Sequence, residues 1–197
     1  MSEPSEDIME ATFRALCEHG YAALTMRDIA AEADRSKASL HYHYESKQGL
    51  MLAFLDHLFE HFTDRVGSFD PAGDPDAQLR AFVDEILHPP GEDTTREFRT
   101  ALLEIKAQAP YDEAFRERLT AFDEHIRENV RAAVAAGVDR GVYRDDADPD
   151  AVARFVLTLA DGAQSRHVVA GADPDDAMAV FESYVESRLL ADREVSA

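Results

Sequence analysis

The chain has 197 residues, with 40 Asp or Glu against 20 Lys or Arg and a formal net charge of −20. It is long enough for one small domain of about 50 residues and one larger helical domain. No apolar run reaches about 18 residues, the acidic start Met-Ser-Glu-Pro-Ser-Glu-Asp has no apolar signal core, and the lone Cys17 has no internal disulfide partner, so a cytoplasmic protein without a membrane span is expected.

A first helix is predicted from about Ser5 to His19, with Ile8, Ala11, Ala15 and Leu16 as its inward stripe and Gly20 as its stop. Thr25 stands where an N-cap belongs, and Asp28, three residues on, completes a capping box and suits the positive helix end. Met26, Ile29, Ala30 and Ala33 recur at helical spacing. The turn falls at Asp34-Arg35, where Asp tolerates left-handed backbone. Ser36 then caps a second short helix from about Lys37 to Tyr44, with Leu40 and Tyr44 directed inward. Lys37, Ala38, Ser39, His41, Tyr42 and His43 are left for the outside. Two short helices on a tight turn, the second with small, hydroxyl and aromatic outer residues, are the build of a helix-turn-helix DNA reader. Ala38 and Ser39 allow close approach to base edges, and Lys37, Tyr42, His43 and Lys47 suit phosphates. The full set of candidate DNA contacts is Thr25, Arg27, Arg35, Ser36, Lys37, Ala38, Ser39, His41, Tyr42, His43 and Lys47. The same local pattern also suits an ordinary pair of surface helices.

Ser46 caps a long helix to about Val66 with a broad apolar face. A Gly-, Pro- and Asp-rich loop spans Gly67 to Pro75, and a helix over residues 75 to 88 ends at His88-Pro-Pro-Gly91. The next helix starts at Thr94 or Thr95 and runs to Gln108, with Phe98, Ala101, Leu102 and Ile105 inward. A longer one spans about 112 to 136, and Gly137 to Asp148 is a connector. Two final helices cover about 149 to 170 and 174 to 191. No strand signal or internal repeat stands out. The predicted class is all-α, with a helix-turn-helix domain over residues 1–47 and a helical ligand-binding and dimerisation domain over residues 48–197.

Gly20-Tyr21, Thr25, Ile29-Ala30, Ala33, then Ser36-Lys37-x-Ser39-Leu40-x-Tyr42-His43-Tyr44-x-Ser46-Lys47 resembles the N-terminal domain of the tetracycline-repressor family of transcription regulators. The motif covers about residues 8 to 55. The resemblance implies an all-helical homodimer that binds double-stranded operator DNA and a small-molecule effector. It also implies that the last two helices pair with their two-fold mates. The interface candidates are Val152, Phe155, Val156, Leu159, Ala163, Met178, Phe181 and Val185; the alternative is that their stripes face the subunit's own core. Three departures stand out. Asp34-Arg35 replaces a Gly-Val turn, Ala38 replaces a Gly, and His41 replaces a common Tyr, so base preference does not transfer from relatives.

The charge is at odds with DNA binding, since −20 repels phosphates. Only Lys37, Lys47 and Lys106 are lysines, and two of them lie in the reading unit. Many carboxylates with few lysines resemble the composition of salt-loving archaea. At about 1 M salt the Debye length is about 3 Å, so local contacts decide, and DNA binding is expected to persist at molar salt.

An effector pocket is expected among the middle helices, with Phe82, Phe98, Leu102 and Phe122 as apolar lining and Arg99, Gln108, His125 and Thr158 as polar anchors; Phe115 and Phe155 are further lining candidates. The apolar stripes suggest a lipophilic effector, although each aromatic also suits plain core. His57 and His61, at i and i+4, share a helix face and could bind a metal with a third ligand such as His125 or His167. Solvated or packed histidines are the reading we favour, and we assign no metal, cofactor or catalytic residue. A helical metal-binding enzyme is the alternative from another class, but it needs paired Glu-x-x-His motifs and no Glu-x-x-His is read along the chain; the nearest features are His57/His61 and Asp123-Glu124-His125. A DNA-independent sensor module is a further alternative.

Overall fold

The structure, a computed structural model, describes residues 6–89 and 96–191. Among these residues the chain forms α1 (Glu6–Ala23), α2 (Met26–Glu32), α3 (Lys37–His43), α4 (Lys47–Val66), α5 (Pro75–Leu87), α6 (Arg96–Lys106), α7 (Glu113–Asp139), α8 (Pro149–Ala170) and α9 (Pro174–Tyr184), followed by a π-helical turn over Val185–Leu189. The only β-type pairing among them is an isolated bridge between Tyr143 and Leu190. The all-α class is therefore as expected.

Local chemistry explains most boundaries. Asp74, Asp148 and Asp173 each cap a helix through backbone N–H groups, and each is followed by a proline in the first turn, where its missing N–H costs nothing. Gly20 interrupts α1 with φ 68° and ψ 162°, and one further turn runs on to Ala23. The expected stop is thus a kink. The expected start of α6 at Thr94 or Thr95 lies outside the described residues. The last helix is shorter than expected. After Tyr184 the chain widens into the π-turn and pairs with the α7–α8 connector, where Arg144 N–H donates to Leu189 O (2.9 Å) and Ala191 N–H to Val142 O (3.0 Å).

The helices form two compact units, residues 1–65 with 91–122 and residues 66–90 with 123–197. This division does not follow chain order. In the first unit Ile8, Leu16, Ile29, Leu40, Leu50 and Phe54 share one buried cluster with Phe98, Ala101 and Ile105 of α6 and Phe115 of α7. The compact units divide the chain at 65/66, 90/91 and 122/123, not at the expected boundary of residue 47.

In the second unit α5, α8 and α9 pack on one another. Tyr143 of the connector is fully buried there, and its hydroxyl donates to the Asp76 carboxylate (3.0 Å). Asp76 also accepts from Arg80 Nε (2.9 Å), and Arg80 pairs with Glu182 of α9. Burial, reinforced by Asp76, pushes the Tyr143 phenol well above its ordinary value.

Candidate nucleic-acid interface

The reading unit is built from its caps. Thr25 has extended backbone, and its Oγ1 accepts from the N–H groups of Arg27 (3.2 Å) and Asp28 (3.4 Å). The Asp28 carboxylate accepts in return from the Thr25 N–H (2.9 Å) and hydroxyl (2.7 Å). The side-chain hydrogen bond from Thr25, then its backbone one, hold the Asp28 carboxyl below its ordinary value. The capping box read from the sequence is therefore present. Replacing Thr25 by Ala is expected to cost about 1 kcal/mol of unit stability in chemical denaturation; an unchanged midpoint would deny the cap any role.

The turn is made by Asp34, the one non-glycine residue with positive φ (48°) among the described residues. Arg35 N–H closes it onto Ala30 O (3.0 Å). Ser36 Oγ then accepts from Ser39 N–H (3.1 Å) and starts α3, which ends one residue before the predicted Tyr44 because Tyr44 is already extended. Leu40 is fully buried and seats α3 on the core, while Tyr44 is half-buried.

The outer face of α3 carries the expected groups. Ala38, His41, Tyr42 and His43 are exposed, Tyr42 to 87 %, with Ser39 half-exposed beside them. Thr25, Arg27 and Ser36 are also exposed, whereas the Lys37 side chain lies outside the described residues. Two of the candidate DNA contacts are otherwise engaged. Arg35 pairs with Asp7 (3.3 Å). The Lys47 ammonium donates to the Tyr21 carbonyl and stands 4.4 Å above the Tyr21 ring. Burial lowers its pKa, and Glu104 opposes the shift.

The sequence reading missed how this unit is anchored. Arg14 of α1 binds Glu32 of α2 through its carboxylate (3.2 Å) and its carbonyl (3.2 Å). Glu104 of α6 accepts from the Ala22 N–H (3.2 Å), just past the Gly20 kink. No local pattern announces a partner 82 residues away.

The proposed effector residues divide between the two compact units. In the first unit Phe98 is core, with its ring 4.7 Å from that of Phe13, and Leu102 packs beside the same cluster. Arg99 is half-buried, and burial lowers its pKa. Gln108 donates to Glu104 O (3.1 Å), and Phe122 meets Phe59 (5.5 Å) and Phe62 (5.0 Å) edge to face. In the second unit Phe82 is half-buried, and His125 lies against Asn129 (3.2 Å). Thr158 is exposed and donates to Arg154 O (2.8 Å), so it lines no buried cavity within its unit.

The interface candidates divide in the same way. Val152, Val156, Phe181 and Val185 are at most 1 % exposed within the single chain, so they serve the subunit's own core and cannot form a dimer face in this conformation. Phe155, Leu159, Ala163 and Met178 remain partly exposed. The reason is helical phase. One apolar stripe is buried where α5, α8 and α9 pack, and only its flank reaches the surface.

His57 and His61 face each other with ring centroids 4.1 Å apart, but among the described residues no group of three or more His, Cys, Asp or Glu is arranged to hold a metal. Contrary to the reading above, the chain holds one Glu-x-x-His, from Glu85 of α5 to its C-cap His88. It has no second copy, and the His88 ring instead lies between Asp84 (2.8 Å) and Asp175 (3.0 Å).

Residues 8–54 match the model of the bacterial regulatory proteins of the tetR family, and residues 75–190 match that of the BetI-type transcriptional repressor C-terminal domain. The chain belongs to the TetR family of transcription regulators. Among curated relatives, it is 26 % identical over 162 residues to the transcriptional repressor AcnR of Corynebacterium glutamicum, covering 82 % of this chain and 80 % of that one. It is 29 % identical over 185 residues to the regulator BetI of Agrobacterium fabrum, covering 92 % and 86 %. Among solved structures, a TetR transcription regulator from Haloarcula marismortui superposes with a TM-score of 0.85 at 41 % identity, covering 93 % of this chain and 97 % of that one. A transcriptional regulator from Saccharomonospora viridis in complex with choline shares the fold at a TM-score of 0.81 and 23 % identity, covering 93 % and 96 %. No helix among the described residues is long and apolar enough to cross a membrane.

Proposed function

We propose that this chain is a homodimeric, effector-released repressor acting on a near-palindromic operator in the cytoplasm. The observation that carries the reading is the doubly capped helix-turn-helix, with Leu40 seating α3 and with Ser39, His41, Tyr42 and His43 on its outer side. Two such helices enter successive major grooves with centres about 34 Å apart. Ala38 and Ser39 read bases; Arg27, Lys37, Tyr42 and His43 contact phosphates. The partly exposed Phe155, Leu159, Ala163 and Met178, with the exposed Val169 and Val180, form the dimer face on α8 and α9. An effector favours a subunit arrangement of the wrong spacing, so effector and DNA weaken each other's binding.

The apolar stripes no longer argue for a lipophilic effector, because Phe98, Val152 and Phe181 are core. Choline, held by the Saccharomonospora viridis protein of this fold, is the first effector to test. The acidic surface fits work at high salt. Specific binding to the DNA flanking the protein's own coding region is expected at about 2 M KCl, where long-range repulsion is screened, and replacing Ser39 by Ala should change which sequences are preferred. A folded dimer that binds no DNA at low or high salt would remove the repressor reading and leave a DNA-independent sensor.

A further inference from the structure

We propose that operator binding by this chain is proton-gated: His41 and His43 on the outer side of α3 supply, when protonated, phosphate-binding charge beyond that of Arg27 and Lys37, because Arg14, Arg35 and Lys47 are engaged elsewhere. The inference rests on the operator-binding reading above.

It follows from where each cation of the reading unit is engaged. Residues 1–50 contain five basic side chains, Arg14, Arg27, Arg35, Lys37 and Lys47, against nine acidic ones. Arg14 is held by Glu32 (3.2 Å) and Glu10 (3.7 Å). Arg35 is held by Asp7 (3.3 Å), and Lys47 by the carbonyl and ring of Tyr21. Drawing any of them to a phosphate means giving up a contact it already has. Arg27 is exposed but lies beside Asp28, whose carboxyl feels its charge.

The two imidazoles differ. Both are exposed, and neither has a carboxylate within ion-pair distance among the described residues. His43 meets the Tyr42 ring edge to face at 5.3 Å. The charged groups on α2, the helix packed against α3, are Arg27, Asp28 and Glu32. Asp28 is occupied by Thr25 and Glu32 by Arg14. Lys37 lies on α3 itself, with Glu45 and Lys47 at its far end. None of the described carboxylates forms an ion pair with either imidazole, and a DNA phosphate is the partner their position suits.

The sign follows from linkage. A phosphate against an imidazolium raises the imidazole pKa in the complex above that of the free protein. The resulting affinity is fully present below the ordinary imidazole range near pH 6.5 and is lost as pH rises through the value in the complex. Each imidazole raised by one unit contributes about tenfold in affinity, and a dimer carries four. In a chain of net charge −20 this local charge is a large part of what attracts DNA.

The test measures affinity for the duplex flanking the coding region from about pH 5.5 to 8 at one fixed salt, a range that brackets imidazole titration. Wild-type affinity should fall at least tenfold per subunit across this range, with net proton uptake on binding at its acid end. Protonation of carboxylates elsewhere acts in the same direction, so the H41Q/H43Q variant decides. It should retain its fold by circular dichroism, bind as weakly at about pH 6 as the wild type does at about pH 8, and lose most of the slope. H43K should restore tight binding at the alkaline end. An H41Q/H43Q variant with the full wild-type slope, or a wild type without one, would overturn the proposal while leaving the repressor reading intact. Absence of binding at every pH would instead remove that reading, and this inference with it.

Discussion

Replacing Gly137 by Ala is expected to destabilise the second unit by about 2–4 kcal/mol, although alanine is the better helix former by up to about 1 kcal/mol. Gly137 lies in the last turns of α7, and a Cβ there would overlap the Tyr143 ring. Tyr143 is fully buried, and its hydroxyl ties the connector to Asp76. To admit the methyl, the ring must leave its seat, giving up most of an aromatic's burial and leaving the Asp76 network short of a donor. Gly162 on α8 is the control. Nothing lies within 4 Å of a Cβ there, so Gly162→Ala should be neutral or slightly stabilising. Chemical denaturation followed by tyrosine emission separates the two. Equal midpoints for G137A and the parent would show that the ring does not occupy this contact. The same ring predicts an alkaline limit. Its phenol pKa is raised in the folded state, so its contribution is complete below the unfolded value of about 10 and is lost as pH climbs beyond it.

Leu40→Ala is expected to abolish operator binding while removing little helix. Leu40 is fully buried, and its truncation should cost about 2–5 kcal/mol in the first unit. The leverage exceeds that of an ordinary core leucine. Helix α3 has seven residues, far below the about 12–15 an isolated helix needs, so docking alone maintains it. Leu40 is its only fully buried side chain among those described. Circular dichroism should lose no more than the signal of one short helix, while DNA binding disappears. Tyr42→Ala is the complement. This exposed side chain should change stability by less than about 0.5 kcal/mol and still weaken binding. An L40A variant with wild-type affinity would mean that α3 is not the reading helix.

The reading unit was legible because its signals are short-range. Thr25 with Asp28, the αL Asp34 and the Ser36 cap act within a few residues, so their side-chain chemistry constrains the backbone directly. The bounds of α8 were legible for the same reason, with Asp148-Pro149 at its start and Gly171 in the left-handed region at its end. Lys47 shows the limit. Its position matches the family motif, but whether its ammonium is free depends on Tyr21, which the turn of α1 after Gly20 brings beneath it.

The sequence by itself determined the all-α class, the capped helix starts and the capped reading unit, because periodicity and caps are local properties of the chain. Tertiary structure decided which apolar stripes are core. Phe98 looked like pocket lining until α6 was seen packed on α1. Val152, Val156, Phe181 and Val185 fit a dimer face by pattern, but the packing of α5, α8 and α9 buries them within the subunit. It also decided which basic groups are engaged, since Arg14, Arg35 and Lys47 meet partners on other helices. An apolar side chain has the same hydrophobicity whether its own subunit or a partner covers it, and a charge has the same sign whether paired or free. Only the placement of distant segments distinguishes these cases, and no local pattern encodes it.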